Sequence, residues 1–426
     1  MTLLKPHTVI IGKLVVPLRH MLLLIISTFP MFAMLWYLDF YSIARVGICL
    51  SIILTVIIFT LTCGIFVSAF SRNTSSATAW SYGIGETFTL LIPGFYGGSS
   101  TGELGTNSEV YKELKAKGIP NANTIVKQLP VYWGDQAFTA GPVYVGAIVC
   151  FLFILGLFII KGPLKWWLLS ATIFSIILSW GRNFMGFTEF MLDYFPAYNK
   201  FRAVSMTLVI AEFTIPFLAF IALSKIFGNN EEGEKWTKDE IVKKLKYSLY
   251  ITGGMLLFFI LFGGSMFDFI GSSDGQLEKM GWPDYLITAL RSDREWMLKK
   301  DSLRSLVFIL ITAGIIWAVI NQKLKQQYAF VLIILIILID MWGVDKDYLN
   351  NDSFVAKSKV EIPYQPTQAD QQILSDPDPD FRVYNTTARL DQDSRTSYFH
   401  KNLGGYHGAK LKRYQELIDF HLGRGS

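Results

Sequence analysis

Apolar runs long enough to cross a bilayer recur along this chain, and they restrict its fold more than any other feature. The stretch Gln327-Tyr-Ala-Phe-Val-Leu-Ile-Ile-Leu-Ile-Ile-Leu-Ile339 has no charge and no turn residue. A helix needs about 20 apolar residues to cross the hydrocarbon. Runs of this kind fall at Met21–Leu38, Val46–Phe70, Gly141–Ile160, Leu164–Trp180, Met206–Phe227, Ser248–Phe267, Ser302–Asn321 and Tyr328–Trp342. Hydrocarbon offers no water to backbone N–H and C=O groups, so such runs must be helical. The sequence therefore predicts an all-α polytopic membrane protein with about eight transmembrane helices. Trp36, Trp166, Trp167, Trp180, Tyr247 and Trp342 lie near the ends of these runs, as an interfacial aromatic belt requires.

Composition agrees: the chain is 51% hydrophobic and only 17% charged, with a mean hydropathy of +0.36. Its net charge of +5 resides largely in loops, where lysines meet lipid head groups, and gives no nucleic-acid signal. Cys49, Cys63 and Cys150 all fall inside apolar runs and read as small buried side chains, not a disulfide framework. The histidines form no HExxH or Cys/His cluster. Met21–Leu38 is too long for a cleaved signal sequence.

Lysine placement sets the expected orientation in a bacterial inner membrane. The Lys161–Lys165 and Lys323–Lys325 connectors are short and basic, and lysines also load the 225–246 connector, so all three belong in the cytoplasm. Residues 1–70 then form an N-terminal two-span segment, 71–140 an extracytoplasmic loop, and 141–343 a six-span core. Residues 344–426 begin an extracytoplasmic soluble domain. Two features resist this arrangement. The outer loop Gly271–Asp301 carries Lys279, Arg291, Arg294, Lys299 and Lys300, and Lys5, Lys13 and Arg19 precede a first span whose start falls outside.

Helical apolar stripes mark the outer segments: Trp80, Ile84, Phe88 and Leu91; Phe184, Phe187, Met191 and Phe195; Trp282, Tyr285, Leu286, Ala289 and Leu290. These predict outer amphipathic helices that cap the bundle or roof a cavity open to the lipid–water boundary. After Trp342 the composition turns polar. Asp376-Pro-Asp-Pro-Asp380 is a turn-rich linker, Phe381–Asn385 alternates as a strand does, and His407–Leu422 has helical spacing. This is the pattern of an α/β domain at its beginning.

Several residues are candidates for chemistry. Glu212 lies in mid-span, where an ionisable group costs about 2.5–3.5 kcal/mol on insertion scales and should face the protein interior or a wet cavity. Pro216 removes the backbone donor for its carbonyl. Lys200 and Arg202, with Arg182, could grip a phosphate by point charge and bidentate fork, or could simply reach lipid head groups. Glu86 and Asp135 flank the loop Gly94-Phe-Tyr-Gly-Gly-Ser-Ser100 as acid–base or divalent-metal carboxylates. The loop lacks the Lys-Ser/Thr of a P-loop, so its glycines read as turn formers. In the tail, His400, Lys401, His407, Lys410 and Arg413 are interleaved with aromatics around a Gly-Gly turn, suiting a sugar or phosphate surface.

Five stretches carry a family likeness: Trp80-Ser-Tyr-Gly-Ile-Gly-Glu86; Tyr132-Trp-Gly-Asp-Gln136 with Gly141-Pro-Val-Tyr-Val-Gly146; Asn199-Lys-Phe-Arg202; Asp340-Met-Trp with Tyr348-Leu-Asn350; and Gly404-Gly-Tyr-His-Gly-Ala-Lys410. Over about Ser75 to Asp419 the chain resembles the YfhO-like bacterial membrane proteins, in the form found in Bacteroidetes-type bacteria. That family is similar to GT-C glycosyltransferases. The resemblance implies transfer of a sugar from a polyprenyl-phosphate donor to a cell-envelope glycan, lipid or protein. It places Glu86 near the donor site and Lys200 and Arg202 on donor phosphate. It also implies a partial chain, since the family's catalytic N-terminal loop has no counterpart here, and Val204 stands where the family usually shows proline. A transporter or flippase for lipid-linked glycans, with Glu212 as relay, and a nonenzymatic envelope scaffold remain alternatives.

Overall fold

The computed structural model describes residues 81–422, apart from 137, 196–197, 199–203, 228–236, 357–358, 360–364, 379, 391–392 and 406–410. The expected spans Met21–Leu38 and Val46–Phe70 thus lie outside the described residues, as do Cys49 and Cys63. The described residues belong to the compact unit Gly64–Ser426.

This unit is mostly helical. Its main helices are α1 (Glu109–Ala116), α2 (Ala147–Ile159), α3 (Leu164–Ser179), α4 (Met185–Tyr194), α5 (Leu208–Phe227), α6 (Lys238–Met266), α7 (Asp284–Ile320) and α8 (Gln326–Tyr348). Four segments are long and apolar enough to cross a membrane: Val204–Phe227, Lys238–Met266, Asp284–Ile320 and Gln326–Tyr348. A fifth is formed if α3 is taken with Gly181–Tyr194, to which it is joined through a 107° bend. The bundle is therefore a membrane-protein core of four or five candidate spans among the described residues.

The expected span Gly141–Ile160 is the clearest departure. Only its last two-thirds is helical, and α2, with its 13 residues, is about 20 Å long, short of the hydrocarbon thickness. Pro142 and Gly146 set the boundary: the chain runs extended to Gly146, whose φ of +107° turns it into the helix. The Ala147 N–H is met by Asp340 Oδ2 at 3.1 Å and the Tyr144 hydroxyl at 2.9 Å. Such backbone is tolerated at membrane depth where protein surrounds it, and α2 is the central helix. It packs on α5, α6 and α7. Phe151, Leu152 and Leu155 of α2, Leu218 of α5, Leu256 of α6 and Ile309 of α7 meet there, each fully buried.

Helix α7 is the second departure. The predicted outer stripe of Leu286, Ala289 and Leu290 and the predicted span Ser302–Asn321 are one continuous helix of 37 residues. At about 55 Å it exceeds the hydrocarbon by several turns. Those first turns support a polar-end roof in which Leu104, Val110, Leu114 and Leu129 pack on Leu286, Ile287 and Leu290. Asp293 caps α1, receiving Glu109 N–H at 2.8 Å and Val110 N–H at 3.0 Å. Arg294, fully buried, donates to the carbonyls of Pro130, Val131 and Phe269 and pairs with Asp274 at 2.8 Å.

The stripe in α4 is half realised. Met191 is buried against Leu178, Tyr198 and Val204 with Phe187 beside it, while Phe184 and Phe195 are exposed. In the tail, no strand forms among the described residues. The expected Phe381–Asn385 strand is reduced to an isolated bridge between Val383 and Asn402. The described residues of the tail include the short helices α9 (Gln368–Leu374), α10 (Arg395–Phe399) and α11 (Lys412–Leu417), the last running into a π turn at Ile418–Leu422. The Asp-Pro linker is a turn series, with Asp376 Oδ1 accepting Asp378 N–H and Asp378 Oδ1 accepting Asp380 N–H.

Candidate functional site

At the roofed end of the bundle, a short 3-10 helix at Gly85–Leu90 carries Glu86 into a buried position. Its side chain is 1% exposed. Three donors converge on the carboxylate: Gly83 N–H on Oε2 at 2.6 Å, Gln136 Nε2 on Oε2 at 3.0 Å, and the Tyr132 hydroxyl on Oε1. Tyr132 in turn accepts the Gln136 N–H at 2.9 Å. The turn is tied to segment 139–145 through Thr89, whose hydroxyl donates to Val143 O at 3.0 Å, and through Val145 N–H on Leu90 O at 3.2 Å. Between these pieces lies a narrow cleft walled by Tyr82, Glu86, Tyr96, Tyr132, Gln136 and Thr139, with room for about one water molecule.

The electrostatics follow from that placement. Burial pushes the Glu86 carboxyl up from its ordinary 4.5 to about 7, against the Gly83 and Gln136 donors, which favour the charge. Asp135 raises it further and Arg182 lowers it. A carboxyl so poised can exchange a proton at neutral pH. Burial also pushes the Tyr96 phenol up to about 12 and Tyr82 higher still, so both rings are neutral walls.

Of the residues singled out in the sequence, Glu86, Asp135 and Arg182 are brought together. Asp135 is exposed at the mouth, and Arg182, also exposed, donates from Nη2 to the Asp135 carbonyl at 2.5 Å while its N–H bonds Ser81 Oγ at 2.9 Å. Lys200 and Arg202 lie outside the described residues. Glu212 sits on the exposed face of α5, not towards the packed interior that its mid-span position suggested. The buried stripe of Ala211, Ile215 and Leu218 faces inward, and one residue further on is about 100° around the helix. Glu212 is nevertheless close enough to act on the Tyr82 phenol.

The glycine loop is a packed turn and not a phosphate cradle. Gly97 and Gly98 have φ of +83° and +91°, and a Cβ on either would strike the Val131 carbonyl or the Tyr348 hydroxyl. The tail residues form a cluster of their own. His400 Nε2 lies 3.0 Å and Arg395 Nη2 2.8 Å from Asp370. The Thr367 hydroxyl and N–H hold the Asp370 carboxyl well below its usual range, helped by His400 and Arg395. His400 is thereby committed to packing, Lys401 reaches exposed Asp380 at 3.9 Å, and Arg413 is exposed. His407 and Lys410 lie outside the described residues.

A divalent cation does not fit the Glu86–Asp135 pair. Both Glu86 oxygens already accept protein donors, Asp135 points from an exposed loop, and no three His, Cys, Asp or Glu side chains converge among the described residues.

Tyr132 and Gln136 carry no chemical signal in the sequence, although both lie in the stretch Tyr132-Trp-Gly-Asp-Gln136. They lie in irregular backbone, where no helical or strand period marks which side chains turn inward. Asp340, marked in the sequence only as part of a motif, and Arg304, not singled out there at all, pair at 2.8 Å inside the bundle, with Tyr144 donating to Asp340 at 2.9 Å. Charged residues within apolar runs were the available signal.

Compared with protein-family models, with curated proteins and with solved structures, the chain matches none.

Proposed function

We propose that this chain is a membrane-embedded glycosyltransferase, or a portion of one, of the GT-C-like kind. It would transfer a sugar from a polyprenyl-phosphate donor to a cell-envelope acceptor at the outer face of a bacterial inner membrane. The observation that supports this reading is Glu86: a buried carboxyl poised near pH 7 at the polar, roofed end of an apolar bundle, with an exposed guanidinium beside it.

In this reading Glu86, ionised, accepts the proton of the acceptor hydroxyl as that oxygen attacks the anomeric carbon. The glycosyl–phosphate bond breaks, its electron pair leaves with the phosphate, and the configuration inverts. Arg182, displaced from the Asp135 carbonyl, would stabilise the departing phosphate by a charge-assisted bond. The cleft beside Tyr82, Tyr96 and Tyr132 has room for about one water molecule, so in this reading it must widen before a pyranose can meet those rings. The roof of outer helices would keep bulk water from the reacting carbon while a lipid-borne donor enters from the side. The same reading takes the N-terminal runs as two further spans, giving six or seven with the four or five candidates among the described residues and eight if the short α2 is counted as well, and the tail as the start of an outer α/β domain.

The test is sugar transfer in membranes from cells expressing the full chain, with a radiolabelled polyprenyl-phosphate sugar. Removal of an acid–base group costs about 10²–10⁴ in rate, so Glu86→Gln should lose at least a hundredfold, and Arg182→Ala should weaken donor use. Full transfer by Glu86→Gln would overturn the proposal.

A further inference from the structure

The groups around Glu86 are not equivalent as hydrogen-bond partners. Oε2 receives Gly83 N–H at 2.6 Å and Gln136 Nε2 at 3.0 Å. A backbone N–H can only donate, and so can an amide nitrogen in this orientation. Oε1 receives the Tyr132 hydroxyl, which can donate or accept. A proton bound on Oε2 would therefore point at two donors, whereas a proton on Oε1 would meet an oxygen able to receive it. That phenol oxygen already accepts Gln136 N–H at 2.9 Å. A hydroxyl oxygen has two acceptor sites, so it can take both while its own hydrogen turns into the cleft.

We propose that Tyr132 is the proton partner of Glu86: a positioning residue whose hydroxyl donates to the carboxylate and turns to accept from the carboxylic acid, so that the exchanged proton is carried on Oε1. The only bond made is Oε1–H, its proton supplied by an acceptor hydroxyl or by water, and the Tyr132 O–H rotates without breaking. The inference rests on Glu86 being the acid–base group, yet the exchange of hydrogen bonds needs no substrate. Asp135 and Arg182 act on Glu86 in opposite senses from the mouth. Tyr82 and Tyr96 face it as neutral phenols from the buried side.

Infrared difference spectra of the full chain in detergent, titrated from about pH 5 to about pH 9, read this directly. The wild type should lose a protonated-carboxyl band with a midpoint near 7, and that band should be missing in Glu86→Gln. In Tyr132→Phe the ionised form loses the stronger, charge-assisted bond, so the midpoint should rise by roughly one unit. The carbonyl band should also move to the higher frequency of an acid that donates to nothing. An unchanged band and midpoint in Tyr132→Phe would overturn the inference. A second measurement guards against a variant that fails to fold. With ¹³C-labelled tyrosine in the otherwise unaltered chain, a phenol C–O band should change in step with the carboxyl and stop doing so in Glu86→Gln; a carboxyl titration without that response overturns the inference. No Glu86 band at all would remove both this inference and the acid–base assignment. A shifted band in Tyr132→Phe from a protein that transfers no sugar would support the hydrogen-bond exchange and remove only the reaction.

Discussion

A carboxyl taken out of water keeps its charge only through the donors aimed at it, and at Glu86 the donors fall short of what burial removes. Its folded pKa of about 7 stands above the ordinary 4.5. The folded state therefore binds the proton more tightly, and Glu86 contributes stability that is full below about 4.5 and lost as pH rises through about 7. The difference corresponds to on the order of 3 kcal/mol. Thermal midpoints in detergent should fall from about pH 5 to about pH 8 in the wild type and fall less in Glu86→Gln; parallel slopes would contradict this. Glu86 was legible in the sequence as a carboxyl beside a glycine-rich loop. Its burial was not, because the residues that enclose it, Tyr132 and Gln136, come from a part of the chain with no local pattern. Glu212 shows the reverse: mid-span position was legible, but which side of α5 it occupies depends on where α2 and α3 pack.

Helices α2, α7 and α8 meet at one buried ion pair. Arg304 of α7 reaches Asp340 of α8, and Asp340 caps α2. Asp340 is 1% exposed, so Arg304→Met leaves its charge unpaired and should cost about 3–5 kcal/mol. The double variant Arg304→Met, Asp340→Asn keeps a neutral acceptor for Tyr144 and should be more stable than Arg304→Met alone, measured by the same detergent melts. In the roof, Asp293→Ala removes the acceptor of the Glu109 and Val110 N–H groups while Ser108 still caps α1, so amide exchange at Glu109 and Val110 should quicken while α6 amides stay protected; unchanged exchange at those two residues would contradict this role of Asp293. Both halves of α7 were readable as apolar stripes, but their continuity was hidden by Asp293, Arg294, Glu295, Lys299 and Lys300. These look like a loop in sequence. In the fold, Asp293 and Arg294 are consumed by partners some 20 to 180 residues away, and Glu295 and Lys299 pair with one another.

At the scale of the whole molecule, the same contacts ease the charge conflict that the outer-loop lysines and arginines present. Arg291 and Arg294 are both paired with Asp274, so they are not free cations competing with the basic connectors. In the proposed orientation the roof lies outside and the Lys323–Lys325 connector inside. In intact spheroplasts of a chain without its native cysteines, Asn107→Cys should react with an impermeant maleimide, and Gln326→Cys only after permeabilisation. The opposite pattern would reverse the topology. The proposed role of Glu86 is tested most directly by the pH dependence of sugar transfer at subsaturating donor, which reports the free protein's essential groups. A rate that climbs with pH through about 7, on a limb missing from the residual activity of Glu86→Gln, is the predicted result; a profile flat through that range, or the same limb in Glu86→Gln, would contradict it.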